Sequence, residues 1–429
     1  MKLHFHGGAN EVGRSCIELI TKKGNRYLMD VGVKFVHDGL AFPKNVLDIK
    51  KVNATFLSHA HLDHSGGLPL FEHKKLQSPI YTTSQTLAIS KILLKDSYKI
   101  ARIKNLHPEY DKSDLKQVRK DAKKVSFDKW YAHEDIKFKY INAGHIPGSA
   151  MILIKADDKT ILYTADFNCA KTHLVQPAST DYFKDEPIDI MISESTYGNK
   201  DLPDREKEEK RFIKKIKETL RRGGSVLIPV FALGRAQDVL IMLAKYDFQV
   251  PIFFDGMGKR VTRKIIKTKS KYVKNKNTLA NMYHNIVQLV SSNKRRIDST
   301  KKQGIFVTTS GMVQGGPILT YLGEMWHNPN NSLLMTGFQA KGTNGRRLLE
   351  KKEVYLDSGR TKVKCDVDKF DFSGHSGKKD IQNFVKTLNP KHVIFQHGDE
   401  DAVETLKKWA EKNTKAKVYA PKINQAYEF

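Results

Sequence analysis

The segment of this chain best suited to chemistry is HAHLDH at residues 59–64, which directly follows the apolar run 55–58. Its imidazoles and carboxylate are the nitrogen and oxygen donors that zinc prefers, and a catalytic zinc site keeps one position open for water. A loop that leaves a strand can turn several such side chains toward one point. The predicted metal ligands in this segment are His59, His61, Asp63 and His64.

Four side chains cannot satisfy two metal ions, so a two-metal site needs further histidines and aspartates downstream. Three candidates stand where an apolar run gives way to a loop: His145 within AGHIPGS, Asp166 within YTADF, and His397 within FQHG. Each of them also fits an ordinary turn. We predict that they are ligands because, together with the four residues of the first segment, they would complete the coordination shells of two metal ions.

The elements that must position these side chains are short strands. In the first two hundred residues, apolar runs alternate with glycine-rich turns, and helices are expected at 86–103 and 113–125. Strands followed by turns and then helices predict two sheets covered by helices, an αββα sandwich. The expected strands are Ile17–Ile20, Tyr27–Asp30, Ala54–Ser58, Ile80–Thr82, Met151–Ile154 and Ile161–Thr164.

From about Asp201 the pattern changes to a charged helix at 204–220 followed by strand–loop–helix units, which is typical of an α/β domain with a parallel sheet. The histidine- and glycine-bearing pattern returns near Lys369. We therefore predict one domain split by an insertion. Residues 1–200 and 366–429 would form the sandwich, and residues 201–365 the inserted α/β domain.

The net charge of +27 is concentrated in the predicted insertion. Residues 201–360 carry 31 basic and 14 acidic side chains, and residues 258–302 carry 14 basic side chains and one acid, Asp298. Such a basic region is expected for a protein that binds a polyphosphate such as a nucleic acid. A solvated lysine-rich surface is the alternative explanation.

The composition argues against a membrane protein. No apolar run approaches the roughly 20 residues that span a bilayer, and the N-terminus has no hydrophobic signal segment. The three cysteines, Cys16, Cys169 and Cys365, lie far apart and are read as reduced residues of a cytoplasmic protein.

Further motifs accompany the candidate ligands along the chain: GGANEVG at 7–13, Asp30, HAHLDHSGG at 59–67, ESTYG at 194–198, FSGHS at 372–376, HG at 397–398, and PVFALGRAQ, SGM and GTNGR between residues 229 and 346. Taken in order, these motifs resemble the metallo-β-lactamase superfamily, and the later ones are similar to its β-CASP nucleases. The resemblance covers essentially the whole chain and points to archaeal homologues of the nuclease subunit of the cleavage and polyadenylation specificity factor and to the RNase J group.

The resemblance implies two zinc ions per chain. One would be held by His59, His61 and His145, and the other by Asp63, His64 and His397, with Asp166 bridging them. Asp30 would orient a ligand imidazole through its free ring N–H. His375 would protonate the leaving 3′-oxygen and Glu194 would orient it. The residues taken as catalytic are thus Asp63, His375, Glu194 and Asp30.

The family's substrate is single-stranded RNA, its products carry 5′-phosphate and 3′-hydroxyl ends, and a homodimer is common. Glycine loops of the insertion would contact phosphates, although these glycines also fit simple turns; the predicted RNA-binding residues are Arg235, Ser310, Gly311, Thr343 and Arg346. One departure from the family pattern is Ala165, which stands where glycine is usual. Outside the motifs, His4 and His6 alternate on one face of the first strand.

Other functions remain to be distinguished from a ribonuclease. A small-molecule hydrolase of thioesterase or lactamase type needs no basic domain, and a DNA-repair nuclease of this superfamily generally lacks the histidine found here at 397. An inactive scaffold subunit would have lost ligands, whereas all seven positions are present. Whether cleavage is 5′→3′ exonucleolytic or endonucleolytic is open, with a slight preference for the former because no separate RNA-selecting domain is recognised.

Overall fold

The computed structural model describes residues 1–36, 39–76, 78–103, 109–356 and 359–429. These residues form two compact units. The first consists of Met1–Ala170, Gln176–Asp201 and His375–Phe429, and the second of Lys171–Val175 and Leu202–Gly374.

The strands, numbered in chain order, are β1 (Lys2–Gly7), β2 (Cys16–Ile20), β3 (Arg26–Met29), β4 (Lys34–Val36), β5 (Gly39–Ala41), β6 (Ala54–Phe56), β7 (Ile80–Thr83), β8 (Ala122–Val125), β9 (Trp130–His133), β10 (Ile136–Asn142), β11 (Ala150–Ala156), β12 (Lys159–Tyr163), β13 (Ile190–Glu194), β14 (Val226–Pro229), β15 (Ile252–Asp255), β16 (Gln288–Leu289), β17 (Ile305–Thr308), β18 (Ser332–Met335), β19 (Glu353–Leu356), β20 (Gly359–Lys362), β21 (Asp366–Lys369), β22 (His392–Gln396), β23 (Lys417–Tyr419) and β24 (Gln425–Glu428).

The α-helices are α1 (Leu62–Ser65), α2 (Leu68–His73), α3 (Ser84–Ile103), α4 (Asp114–Asp121), α5 (Arg205–Arg221), α6 (Arg235–Leu243), α7 (Gly258–Lys267), α8 (Lys276–Asn281), α9 (Asn293–Thr300), α10 (Pro317–Met325), α11 (Asn344–Lys351), α12 (Lys378–Leu388) and α13 (Glu400–Asn413). Short helical turns also occur at Val46–Asp48, Thr180–Phe183 and Met282–Ile286.

The first unit is built on two seven-stranded sheets, in the orders β24-β1-β2-β3-β6-β7-β8 and β23-β22-β13-β12-β11-β10-β9. Side chains alternate along each strand, so Leu3 and Phe5 of β1 enter one core together with Tyr140 and Ile152 of the other sheet. Helices α2, α3 and α4 pack on the outer face of the first sheet, and α12 and α13 on that of the second. This is the predicted αββα sandwich.

The strands that precede the candidate ligands are parallel to one another within each sheet. β3 pairs in parallel with β6, and β13 pairs in parallel with both β12 and β22. Because parallel strands bring their C-terminal ends to the same edge of a sheet, the loops that follow them meet there, and such edges are where α/β proteins place their sites.

One predicted helix is shorter than expected. The helix expected over 113–125 ends at Asp121, and Ala122–Val125 forms β8, which pairs in parallel with β7. Val125 is only 6% exposed and enters the core between the sheets. The pairing and burial available at this sheet edge outweigh the local helical pattern.

The second unit contains a six-stranded sheet in the order β16-β15-β17-β14-β18-β21, with every pairing parallel, as predicted for the insertion. Helix α5 begins after Asp204, whose carboxylate accepts the Lys207 N–H at 2.9 Å and so caps it. The structure differs from the predicted boundary at residue 365, because β21 pairs with β18 from Ser332↔Asp366 to Met335↔Lys369. The unit therefore continues to Gly374.

Within the described part of the chain, no helix has the length and apolar character needed to cross a membrane. The three cysteines carry no disulfide bond.

A buried carboxyl group on α2 makes the stability of the protein depend on pH. Glu72 is 6% exposed, and burial together with the charge of Asp121 raises its pKa from 4.5 to about 8. Between these values the unfolded chain is ionised while the folded chain keeps the proton, so stability falls as the pH rises toward 8. We expect Glu72→Gln to remove this loss, stabilising the protein at pH 8 relative to pH 5 by at least about 1.4 kcal/mol, the equivalent of one pKa unit.

Urea denaturation of the wild type and the variant at both pH values measures this difference. The exposed Glu411→Gln on α13 is the matched control, and its effect on stability should not change with pH. An equal effect of Glu72→Gln at pH 5 and pH 8 would contradict the prediction.

Candidate metal centre and active site

The ligand segment is held by the loop that follows β3. The backbone N–H groups of Val31 and Val33 donate to the carbonyls of His64 and Leu62, each at 2.9 Å. The two segments approach so closely that a Cβ at Gly32 would lie 1.6 Å from the Asp63 carbonyl oxygen. A glycine is therefore required there, and the 62–64 backbone is fixed by the first sheet.

Asp30 stands at the end of β3, fully buried and with a left-handed backbone at φ 60°. Its carboxylate accepts the Ser58 N–H and hydroxyl, each at 2.7 Å, and the Tyr163 hydroxyl at 2.8 Å. It also accepts His64 Nδ1–H at 2.7 Å. The Ser58 hydroxyl in turn lies 3.0 Å from His59 Nδ1. Asp30 thus orients one imidazole directly and a second through Ser58, which leaves Nε2 of both rings for another partner.

Two groups of potential metal ligands lie at this edge. In each group, one ligand atom per residue can be chosen so that all lie within 4.8 Å of one another. The first group is His59, His61, His145 and Asp166, and the second is Asp63, His64, Asp166 and His397. All seven predicted ligands are therefore brought together, each in the group that the family resemblance implied.

Asp166 belongs to both groups, and its two oxygens face different ways. Oδ2 lies 3.4 Å from His59 Nε2 and 3.7 Å from His145 Nε2. Oδ1 lies 3.3 Å from His64 Nε2 and 3.2 Å from His397 Nδ1. A carboxylate arranged in this way can contribute one oxygen to each of two neighbouring cations.

Several atoms of these groups are buried without a hydrogen-bond partner among the described residues: His59 Nε2, His64 Nε2, Asp166 Oδ1 and His397 Nδ1. An unpaired buried polar atom costs about 1–3 kcal/mol, so four at one place point to a missing partner. The donor set is nitrogen and oxygen, as zinc prefers. The residues present therefore fit a two-zinc centre.

The electrostatics of the groups agree with bound cations. Burial and the neighbouring His59 lower the pKa of His61 to about 3, so this ring is neutral and offers a lone pair. Burial lowers the pKa of His64, but the carboxylates of Asp166 and Asp30 outweigh it and raise that pKa, because their negative charges favour a positive charge between them. Burial raises the pKa of Asp166, and His64 and His397 more than reverse that effect.

His375 and Glu194 form a pair beside the first group. Glu194 is fully buried at the end of β13 and accepts the Phe167 N–H at 2.8 Å. Its carboxylate lies 3.0 Å from His375 Nδ1, and the ring of His375 lies 4.5 Å from that of His145. Burial lowers the pKa of His375, but Glu194 and Asp166 raise it to about 9. The ring is thus oriented through the contact of Nδ1 with Glu194.

Two residues of the candidate centre have left-handed backbones: Ala165, which precedes the candidate ligand Asp166, at φ 46°, and the candidate ligand His397 at φ 53°. This conformation is costly for residues with a side chain, by roughly 1–2 kcal/mol. It explains why glycine is usual in the family at the position of Ala165.

The five predicted RNA-binding residues all lie in the second unit. Gln339 Nε2 donates to the Gly311 carbonyl at 3.0 Å, and the Ser310 hydroxyl accepts the Gln314 N–H at 3.1 Å. Thr343 caps α11 by accepting the Arg346 N–H at 3.2 Å. Each of these residues therefore has a structural contact of its own.

The two predicted RNA-binding arginines differ in exposure. The Arg346 side chain is 45% exposed and pairs with Glu350 at 2.6 Å. The Arg235 side chain is only 10% exposed and pairs with Asp238 at 3.3 Å. Arg346 is thus the more accessible of the two cations.

Sequence reasoning missed Ser58 and Tyr163 as partners of Asp30. Both stand inside motifs that were recognised, directly before His59 and within YTADF. The sequence feature that could have identified them is a hydroxyl side chain at the end of a strand, close to a predicted ligand.

Three family models match the chain. Residues 19–197 match a metallo-β-lactamase superfamily domain, residues 236–348 a β-CASP domain, and residues 360–421 a Zn-dependent metallo-hydrolase RNA specificity domain.

Relatives match along almost the whole chain. It is 41% identical to the probable RNase MJ4 of Methanocaldococcus jannaschii, over 96% of each protein. It is 37% identical to an RNase J-like protein of the same organism over 92% of each. With the RNase aCSPSF2 of Saccharolobus solfataricus it shares 32% identity over 99% of this chain and 84% of the relative.

A crystal structure of a protein of unknown function from Enterococcus faecalis shares the fold, with a TM-score of 0.61 at 14% identity over 99% of both chains. The chain belongs to the β-CASP family of metallo-β-lactamase nucleases. The predicted family, fold class and metal-dependent nuclease class are confirmed.

The contacts of Asp30 predict a measurable effect on metal binding. Asp30→Asn removes the charge that faces His64 Nδ1–H, and loss of such a supporting partner typically weakens metal binding 10–100-fold. We expect the variant to lose zinc at correspondingly lower concentrations of a competing chelator, as followed by elemental analysis. Circular dichroism checks that it is folded. Zinc retention equal to the wild type would contradict the role of Asp30.

Proposed function

We propose that the chain is a two-zinc ribonuclease that hydrolyses phosphodiester bonds of single-stranded RNA and leaves 5′-phosphate and 3′-hydroxyl ends. The observation that carries the proposal is Asp166, whose two oxygens face two separate groups of imidazoles. One zinc would be held by His59, His61 and His145, the other by Asp63, His64 and His397, with Asp166 shared.

Bound zinc would supply a water of lowered pKa and would neutralise charge on the phosphoryl oxygens. The protein's own groups do the rest. Asp30 keeps His64 oriented. His375, held through Nδ1 by Glu194, gives the proton on Nε2 to the leaving 3′-oxygen, which would otherwise depart as a strongly basic alkoxide.

The preference for RNA rests on the second unit and on the relatives. Residues 201–360 carry 31 basic and 14 acidic side chains, far more positive charge than a small substrate requires. The family model for residues 360–421 describes an RNA specificity domain, and the relatives above are named RNases. We assign RNA contacts to the loops that contain Arg235, Ser310, Gly311, Thr343 and Arg346.

The mode of cleavage is proposed to include 5′→3′ exonucleolytic degradation, alongside or instead of endonucleolytic cleavage. A cytoplasmic location, consistent with three free cysteines, and a homodimer complete the proposal. Light scattering of the purified protein tests the dimer.

The decisive experiment uses one single-stranded RNA with a 5′-monophosphate, 5′-hydroxyl or 5′-triphosphate, labelled at either end. The wild type is compared with His64→Ala and with His327→Gln, an exposed histidine of the second unit. Mononucleotides released from a 5′-monophosphate end indicate an exonuclease, and internal fragments with every 5′ group indicate an endonuclease. If no cleavage occurs, or His64→Ala cleaves equally well, the proposal fails. Hydrolysis of a thioester or lactam without RNA cleavage would favour the small-molecule hydrolase, and absence of zinc the inactive scaffold.

A further inference from the structure

A second cluster of metal-ligating side chains lies on the outer face of the first sheet. His4 and His6 of β1 share one face, and His4 stands opposite Glu18 of β2, whereas Leu3 and Phe5 point into the core. The side chains of His6 and Glu18 are 2% and 1% exposed, and that of His4 is 25% exposed. One ligand atom from each can be chosen so that all three lie within 4.8 Å of one another.

Both imidazoles are oriented by backbone carbonyls. His4 Nε2 lies 3.1 Å from the Asn424 carbonyl oxygen, and His6 Nδ1 lies 3.1 Å from that of Lys44. A carbonyl can only accept, so these nitrogens carry the protons. The other nitrogens, His4 Nδ1 and His6 Nε2, are then lone-pair atoms when the rings are neutral. This is the support that metal-ligating histidines usually have.

The two lone-pair nitrogens face the same carboxylate oxygen. Glu18 Oε2 lies 3.2 Å from His6 Nε2 and 3.7 Å from His4 Nδ1. The other oxygen, Oε1, accepts from Arg26 at 2.7 Å. Three hydrogen-bond acceptors therefore face one another: His4 Nδ1, His6 Nε2 and Glu18 Oε2. A single proton on His6 Nε2 would form a hydrogen bond to Glu18 but would leave His4 Nδ1 without a donor. A cation at the centre satisfies all three.

The spacing suits a transition metal. Two ligands about 2.05 Å from a tetrahedral ion are about 3.3 Å apart, and the two distances to Glu18 lie on either side of this value. The corresponding distances around Asp166 in the candidate zinc centre run from 3.2 to 3.7 Å. The outer cluster has similar nitrogen–oxygen distances, with two nitrogens, one oxygen and a partly exposed side at His4.

We propose that His4, His6 and Glu18 form a further site for a divalent transition metal of the zinc class, distinct from the candidate catalytic centre. An ion there would join β1 to β2. The segment between these strands contacts the candidate ligand His397 and a partner of Asp30: the Gly8 carbonyl accepts the His397 N–H at 2.6 Å, and the Ser15 hydroxyl lies 3.2 Å from the Tyr163 hydroxyl. The site therefore stabilises the strand pair that supports His397.

The test measures bound zinc per chain by elemental analysis after equilibrium dialysis of the full-length protein. We compare the wild type with His4→Gln/His6→Gln, with Asp166→Asn, and with His327→Gln as the control at an exposed histidine. The double variant should bind one zinc fewer than the wild type, and Asp166→Asn should keep that zinc. The absorption of cobalt substituted into Asp166→Asn should show nitrogen–oxygen coordination that is lost when His4 and His6 are also replaced.

If the double variant does not fold, His4→Gln alone replaces it, since that side chain is the exposed member of the cluster. Equal zinc content in the wild type and the folded variant overturns the proposal and leaves an imidazolium–carboxylate pair at His6 and Glu18. Because RNA cleavage is not the readout, this result is independent of whether the proposed nuclease function holds.

Discussion

Asp166→Asn is expected to lower kcat/KM for RNA cleavage by at least about 1,000-fold, equivalent to about 4 kcal/mol of transition-state stabilisation. Oδ1 and Oδ2 face different groups of imidazoles, so a single substitution affects both. The asparagine side chain has the same shape as aspartate, but its NH2 group points toward one of the two groups of candidate ligands. A hydrogen-bond donor then occupies a position where a cation is expected to bind, and the negative charge shared by the two groups is lost.

The zinc content of the Asp166→Asn variant should fall together with its activity. Asp185→Asn provides the same chemical change at an exposed position of the first unit and should leave both quantities at wild-type values. Single-turnover cleavage and elemental analysis on the same preparations make the comparison direct. An Asp166→Asn protein with full zinc content and activity within tenfold of wild type would remove the basis for a shared carboxylate.

His375→Gln is expected to lower kcat by about 10²–10⁴-fold, the usual contribution of a positioned acid or base, while zinc content stays unchanged. The ring contacts Glu194 through Nδ1 and belongs to neither group of candidate ligands. Glu194→Gln should reduce kcat through the same histidine. The double variant should therefore be little worse than His375→Gln alone, because residues that act as a unit are not additive.

A modified substrate separates proton donation from a merely structural role. When sulfur replaces the leaving 3′-oxygen, the departing group is a thiolate, whose conjugate acid has a pKa near 8.5 and which needs little protonation. The rate of His375→Gln on this substrate should return to within about tenfold of the wild type, by the same Brønsted reasoning. His327→Gln serves as the control. A variant equally slow on both substrates would show that His375 is not the acid.

The candidate metal ligands were accessible to sequence reasoning because they cluster locally or follow recognisable strands. Residues 59–64 are adjacent in the chain. His145, Asp166 and His397 each follow an apolar run that forms a strand, and these strands end at the same edge of the sandwich. The alternation of strands and helices was sufficient to predict both sheet architectures.

What escaped prediction depends on register between distant segments. The local sequence pattern of residues 122–125 predicts the end of a helix, but these residues pair with β7 as a strand. Likewise, β21 belongs to the sheet of the second unit through its pairing with β18. His4 and His6 become a cluster only when β1 and β2 pair with His4 opposite Glu18. Tyr163 and Asp30 meet across 133 positions of sequence. None of these relations is encoded in local periodicity.

The chain order of the ligands has a consequence for how the protein is made. His59 and His397 stand 338 positions apart, and the whole of Leu202–Gly374 is synthesised between them. At roughly 5–20 residues per second, the ribosome needs about 20 to 70 seconds to pass from the first ligand to the last. β22 must also insert between β13 and β23 before His397 reaches the others. A nascent chain therefore lacks one of the seven candidate ligands until the inserted unit has emerged, so the proposed nuclease activity is expected only after synthesis of both units is nearly complete.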